Sequence, residues 1–277
     1  MNGGEIKPVE RGDPELFAFA ADGLELGAGF ESRSVLNEGV RIHYYRSGPP
    51  DGRAVVLSHG GLGHAGNMAH QAHALAGQGF VTIAIDTRGH GRSSWDGAPF
   101  HYSTMGRDLI SVLDHAGIER AALVGWSDGA CTSLEAARMA PERVTGVLFF
   151  ACNVDESGTR PFEMTPVIER SFERHKADHA RLSEKPEAFD AFFEALGVMQ
   201  GSEPGYTRAD LEAIEVPVTV LHASGDEFIL KEHARYIAEA LPNGRFRSLD
   251  GVTHFAPIQN PAAFNAEMLA FLVGLPR

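Results

Sequence analysis

Residues 123–130 read LVGWSDGA, in which an apolar run meets a serine flanked by glycines. Ser127 completes the pattern G-x-S-x-G with Gly125 and Gly129. The pattern alone is a weak signal, because a chain with 31 glycines can contain it by chance. Its position between a strand pattern and a helix pattern is more telling, since a serine there sits on a strained turn at the carboxyl end of a sheet. We interpret Ser127 as a nucleophile; a serine in a glycine-rich turn is the alternative.

Continuous apolar runs recur on both sides of this stretch, and they are typical of strands buried on both faces of a parallel sheet. The runs span 54–60, 81–89, 121–127, 144–151 and 216–224. Helical spacing of apolar residues occurs between or after them, at 66–78, 103–116, 128–140, 231–241 and 261–273. This alternation predicts an α/β fold with a doubly wound sheet, preceded by an antiparallel hairpin over 34–46 that turns near Asn37–Gly39.

One long segment interrupts the alternation. Residues 152–210 carry no convincing strand pattern and are too many for a loop, so they predict an inserted helical cap. The predicted organisation is an N-terminal extension at 1–33, a core of 34–151 and 211–277, and the cap at 152–210. Residues 1–23 are rich in glycine and charge, so we expect them to be loosely ordered.

The cap pattern contains helical runs at 166–182 and 186–199. Its aromatic residues are expected to pack together rather than to contact substrate; they are Phe172, Phe189, Phe192 and Phe193. His175 and His179 are interpreted as solvated residues of the cap.

A serine hydroxyl needs a base that is held in place by an acid. His254 follows a short strand pattern and lies in a loop near the C-terminus, next to Gly251. Asp226 comes just after the run 216–224, and Glu227 is a rival acid one residue later. The chain order Ser127, Asp226, His254 is nucleophile, acid and base, so these three form the predicted triad.

Acyl transfer also needs N–H donors for the developing oxyanion. The stretch LSHGGLGH (57–64) follows a predicted central strand, and its glycines let backbone N–H groups turn towards Ser127. Gly61 is the predicted first donor, with Leu62 as the alternative, and the backbone N–H of Asp128 is the second. A tight strand-to-helix turn would also explain the glycines.

Five stretches, in chain order, carry a family resemblance: SHGGLGH, DTRGHGRS, GWSDG, SGDEF and VTHFAP. Over about residues 35–274 the chain resembles the α/β-hydrolase superfamily in its serine-nucleophile form. The resemblance implies an eight-stranded, mostly parallel sheet with a lid inserted after the sixth strand, and structural roles for Asp86 and Arg88. Epoxide hydrolases and haloalkane dehalogenases share the fold but have an aspartate nucleophile where this chain has Ser127.

The elbow GWSDG is similar to that of valacyclovir hydrolase-like (biphenyl hydrolase-like) enzymes, whereas HGGLGH is closer to many bacterial esterases and enol-lactonases. The first likeness implies that Asp128 anchors an ammonium group of the substrate. Trp126 and Leu62 are predicted as further substrate contacts. The alternative is that Asp128 is favoured by the dipole of the helix that it opens, an effect of about 0.3–1 kcal/mol.

Composition and charge argue against several partner classes. A net charge of −13 disfavours nucleic acid and anionic membranes, since both are polyanions. Cys131 and Cys152 lack zinc-ligand spacing and are expected to be buried, and His70 and His73 have no third ligand, so no metal or other cofactor is predicted. The N-terminus shows no signal-peptide pattern and no apolar stretch long enough to span a membrane, which predicts a cytoplasmic protein.

These residues predict a carboxylic ester hydrolase that cleaves small esters through an acyl-enzyme. Its predicted partner is a small ester-like molecule, and the sequence leaves a homodimer open. Lactone opening, C–C bond hydrolysis and cofactor-free perhydrolysis use the same machinery and remain alternatives. A non-catalytic small-molecule receptor on the same fold is the alternative from another class.

Overall fold

The computed structural model describes residues 25–276, so the expected loose order of residues 1–23 lies outside the described residues. Within them the chain forms one eight-stranded sheet. The strands are β1 (Glu31–Asn37), β2 (Val40–Ser47), β3 (Ala54–Ser58), β4 (Val81–Ile85), β5 (Ala121–Trp126), β6 (Val144–Phe150), β7 (Val218–Ala223) and β8 (Gly244–Leu249). Their spatial order is β1-β2-β4-β3-β5-β6-β7-β8; β2 is antiparallel to both neighbours, and β3 to β8 are mutually parallel. The predicted α/β-hydrolase fold is therefore confirmed.

Helices connect the parallel strands and cover the sheet. They are α1 (Ala69–Ala76), α2 (Tyr102–Ala116), α3 (Asp128–Met139), α4 (Pro166–Leu182), α5 (Phe189–Ser202), α6 (Arg208–Glu212), α7 (Lys231–Ala240), α8 (Ala256–Gln259) and α9 (Pro261–Gly274). Leu123 of β5 lies in an apolar layer with residues of α2, α3 and α7, whereas Ala122 and Val124 lie in a layer with residues of α1 and α9. Because both faces are covered, the central strands read as continuous apolar runs.

The hairpin at the start of the sheet is longer than predicted. Glu38 and Gly39, with φ angles of 49° and 80°, form its turn, and this left-handed backbone suits a two-residue hairpin. Pairing continues back to Glu31, which lies opposite Arg46. Residues 31–33 therefore belong to the sheet rather than to the predicted 1–33 extension. The sequence pattern of the hairpin began at residue 34, but hydrogen-bonded pairing with β2 continues for three residues before it.

The segment between β6 and β7 is helical, with α4 over the predicted residues 166–182. Phe189 and Phe192 are buried, and Phe172 packs edge-on against Phe189 with ring centroids 5.8 Å apart, as expected for packing residues. Phe193 packs against Phe172 but keeps 46% of its surface exposed. The cap boundaries at 152 and 210 stay a prediction.

The prediction that His179 is solvated is wrong, and His175 is only partly exposed. His179 is 7% exposed, and its ring stacks on Phe192 with centroids 5.1 Å apart. Nδ1 of His175 is also buried. An imidazole ring has an apolar body as well as two nitrogens, so it can pack on the inner face of an amphipathic helix. Burial lowers the pKa of His175 to about 4, which leaves its ring neutral at pH 7.

Cys131 and Cys152 are buried free thiols, as expected, with their sulfur atoms 3.1 Å apart. In the part of the chain that the structure describes, no group of three or more histidine, cysteine, aspartate or glutamate side chains is arranged to hold a metal ion. Over the same residues, the helices are too short or too polar to cross a membrane.

Candidate active site

Ser127 occupies a sharp turn between β5 and α3. Its φ of 54° and ψ of −123° place a non-glycine residue in a strained backbone region. The turn is held by the N–H of Ser127, which donates to the Phe150 carbonyl at 2.8 Å. A Cβ atom at Gly125 would overlap the carbonyl oxygen of Gly129. A Cβ atom at Gly129 would overlap the carbonyl oxygen of Ser58. Both glycines are therefore required by close packing of backbone around the serine.

His254 and Asp226 meet at the same edge of the sheet. Asp226 follows β7 and His254 follows β8, and Nδ1 of the imidazole donates to the carboxylate oxygens at 3.1 and 3.3 Å. The backbone N–H groups of Phe228 and Ile229 donate to Asp226 Oδ1 at 2.9 Å each. The structure thus brings together the predicted acid and base.

The electrostatics of this pair suit an imidazole that gains a proton during a reaction. Burial alone would lower the pKa of His254, but the negative charge and hydrogen bond of Asp226 outweigh it and raise that pKa above its ordinary value. Burial alone would raise the pKa of Asp226, yet His254 and two backbone N–H donors outweigh it and lower that pKa. Asp226 therefore stays ionised at neutral pH and stabilises a charged His254 ring.

Glu227, the rival acid, holds the backbone of His254 rather than its ring. Its Oε2 accepts from the His254 N–H at 2.9 Å, and its Oε1 is buried with no hydrogen-bond partner between residues 25 and 276. Burial raises the pKa of Glu227. The contact to the ring nitrogen favours Asp226 over Glu227 as the orienting acid.

Three aromatic rings surround His254. Phe228 lies edge-on at 4.7 Å between centroids, Phe255 lies at 5.5 Å, and Trp126 lies at 6.2 Å. Trp126 directly precedes Ser127, so its contact with His254 brings the base towards the serine. No hydrogen bond joins Ser127 to His254 among the residues described; in free enzymes such a bond is often long and shortens once substrate binds.

The glycine loop after β3 lies against the elbow. A Cβ at Gly60 would come within 3.2 Å of the Ser127 Cβ, so this loop approaches the serine closely. Leu62 in this loop has a φ of 62°, so its backbone, like that of Ser127, is strained. Nδ1 of His59 donates to the Gly60 carbonyl at 2.7 Å, while Nε2 accepts from the Thr87 N–H at 3.1 Å. Burial lowers the pKa of His59 to about 4, so a neutral ring fixes the loop to the end of β4.

The Asp128 carboxylate, whose role the sequence left open, is enclosed. It is 6% exposed, and each oxygen accepts a hydrogen bond from a neutral donor: Tyr102 Oη at 2.8 Å and Gln200 Nε2 at 2.9 Å. A Cβ at Gly61 would lie 2.5 Å from both the Asp128 Oδ2 and the Gln200 Nε2. Gln200 of α5 thus reaches the predicted oxyanion loop. No periodicity marked Gln200 in the sequence, because its partner lies on another helix.

Asp86 and Arg88 brace the loop after β4, as the resemblance implied. The Asp86 carboxylate accepts from the Ala65 N–H at 2.7 Å and contacts Nδ1 of His43 at 2.9 Å. The guanidinium of Arg88 donates two hydrogen bonds to the carboxylate of Asp108, each 2.8 Å long. These contacts fix backbone on both sides of the glycine loop without entering the site.

Comparison with known proteins gives a consistent picture. The family described as serine aminopeptidase, S33, matches residues 49–195, just over half of the chain. The chain is 27% identical over 247 residues to 3-oxoadipate enol-lactonase 2 of Acinetobacter baylyi, covering 82% of this chain and 91% of that protein. It is 25% identical over 272 residues to the bifunctional esterase/perhydrolase DCH of Acinetobacter calcoaceticus, covering 85% and 97%. The solved carboxylesterase CesB of Bacillus subtilis has the same fold, with a TM-score of 0.69, 20% identity and 94% of each chain covered.

Proposed function

Because the chain belongs to the serine aminopeptidase (S33) family of α/β-hydrolases, we propose that it is a serine hydrolase that cleaves small carboxylic esters through an acyl-enzyme. Ser127 is the nucleophile, His254 the base and Asp226 the orienting acid. The observation that carries this proposal is the bond from His254 Nδ1 to Asp226, at the same sheet edge as the strained turn of Ser127.

The proposed reaction uses both nitrogens of His254. Nδ1 faces Asp226, so Nε2 takes the proton from the Ser127 hydroxyl while Oγ bonds to the ester carbonyl carbon. The carbonyl oxygen becomes an oxyanion and accepts hydrogen bonds from the backbone N–H groups of Gly61 and Asp128. Each of these bonds stabilises the transition state by about 3 kcal/mol. The C–O bond breaks, His254 returns the proton to the leaving alcohol, and water then releases the acid by the reverse steps.

Trp126, Leu62 and Asp128 are proposed to contact the substrate. Trp126 and Leu62 adjoin the serine and the oxyanion loop, where a bound ester would lie. The carboxylate of Asp128 is 6% exposed and is enclosed by Tyr102 and Gln200, which both donate to it, so an ammonium group would reach it only if neighbouring side chains moved. We therefore favour a role for this carboxylate in holding α5 against the elbow, with ammonium binding as the alternative.

Hydrolysis of p-nitrophenyl acetate tests the proposal. Ser127→Ala should reduce turnover to the uncatalysed rate, while Ser157→Ala, a change of an exposed serine, should leave it intact. A fluorophosphonate should label the wild-type protein and spare Ser127→Ala. Undiminished turnover by Ser127→Ala would overturn the proposal, and stoichiometric binding without repeated turnover would support a receptor instead.

Lactone opening is the second candidate, and the enol-lactonase relative that aligns with 82% of this chain favours it. A lactone differs from an ester only in that its leaving alcohol stays tethered to the acyl group, so the same residues would act. C–C bond hydrolysis and perhydrolysis need further steps after the same attack. A panel of esters, lactones and diketones separates these activities, and a cytoplasmic location remains part of the proposal.

A further inference from the structure

The segment from Phe162 to the end of α4 contacts both sides of the candidate active site. Just before α4, Phe162 stacks on Phe228, whose ring contacts His254 at the β8 side. Near its end, Asp178 accepts from Nε2 of His64 at 3.3 Å, and His64 belongs to the glycine loop after β3. Four strand spacings of about 4.8 Å separate β3 from β8, or about 19 Å, and a helix of 17 residues is about 26 Å long. The chain from Phe162 through α4 to Asp178 therefore spans the carboxyl ends of the strands between these two contacts, and β5, which Ser127 follows, is one of those strands.

Two polar atoms on the inner face of α4 are buried without partners. Ser171 is 4% exposed, and neither its Oγ nor the buried Nδ1 of His175 finds a hydrogen-bond partner among residues 25–276. A serine within a helix can donate to the carbonyl four residues earlier, but this one does not. The two residues are one turn apart and so share a face. In the chain they lie between Phe162, which contacts Phe228, and Asp178, which contacts His64.

An unpartnered buried hydroxyl or ring nitrogen is costly, roughly 1–3 kcal/mol for each group, unless a water or a ligand satisfies it, and a ligand that displaces the water can take over its hydrogen bonds. The surroundings of His175 fix the kind of ligand. The ring lies near His59, His64 and the ion pair of Arg174 with Asp178, which is 2.9 Å long, and its low pKa keeps the ring neutral. A neutral ring beside a hydroxyl offers hydrogen bonds but no full charge, which suits a hydroxyl or carbonyl group better than a carboxylate.

We propose that Ser171 and His175 form a subsite for an uncharged hydrogen-bonding group on the acyl chain of the substrate. The inference rests on the proposed ester hydrolysis. The leaving oxygen must face His254 to receive its proton, so the acyl chain extends away from His254, towards the His64 end of α4. There it passes under the two unpartnered atoms. Substrates that carry a hydroxyl or oxo group a few atoms from the ester carbonyl are therefore favoured.

Two p-nitrophenyl esters of equal shape test this directly: the 3-hydroxybutanoate and the 3-methylbutanoate, in which a methyl replaces the hydroxyl. Wild type should show kcat/KM about 10-fold higher for the hydroxy ester, the effect of about one net hydrogen bond. Ser171→Ala and His175→Leu should bring the ratio towards one, whereas His175→Gln, which keeps a polar group, should retain part of it. Lys176→Ala, an exposed change on the same helix, should retain the wild-type ratio.

A wild-type ratio of kcat/KM near one between the two esters would overturn the subsite. This test needs no variant, so it can fail even if the variants do not fold. A preference that survives both Ser171→Ala and His175→Leu would also overturn it, as would a higher kcat/KM for the mono-p-nitrophenyl ester of glutarate, which carries a carboxylate. The acyl assignment also fails if the hydroxyl is preferred in the alcohol part of the ester. That would appear as a higher kcat/KM for 2-hydroxypropyl butanoate than for 2-methylpropyl butanoate. Absence of turnover with every ester refutes the proposed function instead, which separates the two failures.

Discussion

Asp226→Asn should cost far more activity than Glu227→Gln, although the two acids are adjacent and both contact His254. Asp226 accepts from the ring nitrogen, whereas Glu227 accepts from the backbone N–H. An asparagine that turns its NH2 group to Nδ1 places the ring proton on Nε2, and that nitrogen can no longer accept the serine proton. The same change in a Ser-His-Asp triad lowers kcat about 10⁴-fold, and we expect a loss of that order. Glu227→Gln keeps an oxygen for the backbone bond, so its loss should stay below about 10-fold.

The pH dependence of the remaining activity provides an independent readout. Opposite charges about 4 Å apart interact by about 1–4 kcal/mol as the effective dielectric falls from 80 to 20, which equals about 1–3 pKa units. Asp226 is the main group that raises the pKa of His254 against the effect of burial, so its removal lowers that pKa. His254 must be neutral to act as a base. The acid limb of kcat/KM should therefore move to lower pH by about 1–3 units.

The assay is p-nitrophenyl acetate hydrolysis by wild type, Asp226→Asn and Glu227→Gln, with kcat/KM measured from acidic to mildly alkaline pH and folding checked by thermal melting. A larger loss in Glu227→Gln than in Asp226→Asn would refute the assignment of the acid. Movement of the acid limb of Asp226→Asn to higher pH would refute the electrostatic argument.

Three further changes probe other parts of the structure. Asp128→Asn should slow hydrolysis of p-nitrophenyl acetate and of the p-nitrophenyl ester of alanine by the same factor, because the carboxylate is enclosed by Tyr102 and Gln200. A kcat/KM that falls selectively for the amino ester would support the ammonium anchor instead. Gly129→Ala should destabilise the fold by about 1–3 kcal/mol or more, because its Cβ would overlap backbone oxygen, whereas Gly197→Ala, in open space on α5, should stabilise it by about 0.5–1 kcal/mol. Thermal melting compares the two, and equal melting temperatures would contradict the packing argument. Phe192→Ala, which empties a side-chain site only 1% exposed, should cost about 3–5 kcal/mol in urea unfolding, and a cost below about 1 kcal/mol would mean that α5 is not tightly packed.

The sheet could be predicted from sequence because burial on both faces leaves a local record. Runs such as 121–127 and 144–151 end within one residue of β5 and β6, and the glycines beside Ser127 mark a turn that only small residues allow. Asp226 and His254 could be found because both follow strands whose carboxyl ends meet at one edge. At this edge of the sheet, the sequence motifs and the strand topology both point to Ser127, Asp226 and His254.

The contacts between the segment after β6 and the rest of the chain could not be predicted in this way. Gln200 binds Asp128, and Asp178 binds His64, and each pair joins residues more than 70 positions apart without any periodic signal. The same limit explains the error on His179, since polarity suggested exposure while packing on Phe192 buried its ring. Contacts of this kind leave no local pattern in the sequence, which is why the sequence indicates the fold and the candidate triad better than the substrate.

The central claim, that Ser127 carries the acyl group, is tested most directly by trapping the intermediate. Wild-type protein is mixed with excess p-nitrophenyl acetate, quenched with acid within the first turnovers, digested, and analysed by mass spectrometry. We predict an initial burst of about one p-nitrophenol per chain and an acetyl group on Ser127, with neither present in Ser127→Ala. Turnover that proceeds without an acetylated Ser127, or with the acetyl group on another residue, would contradict the account.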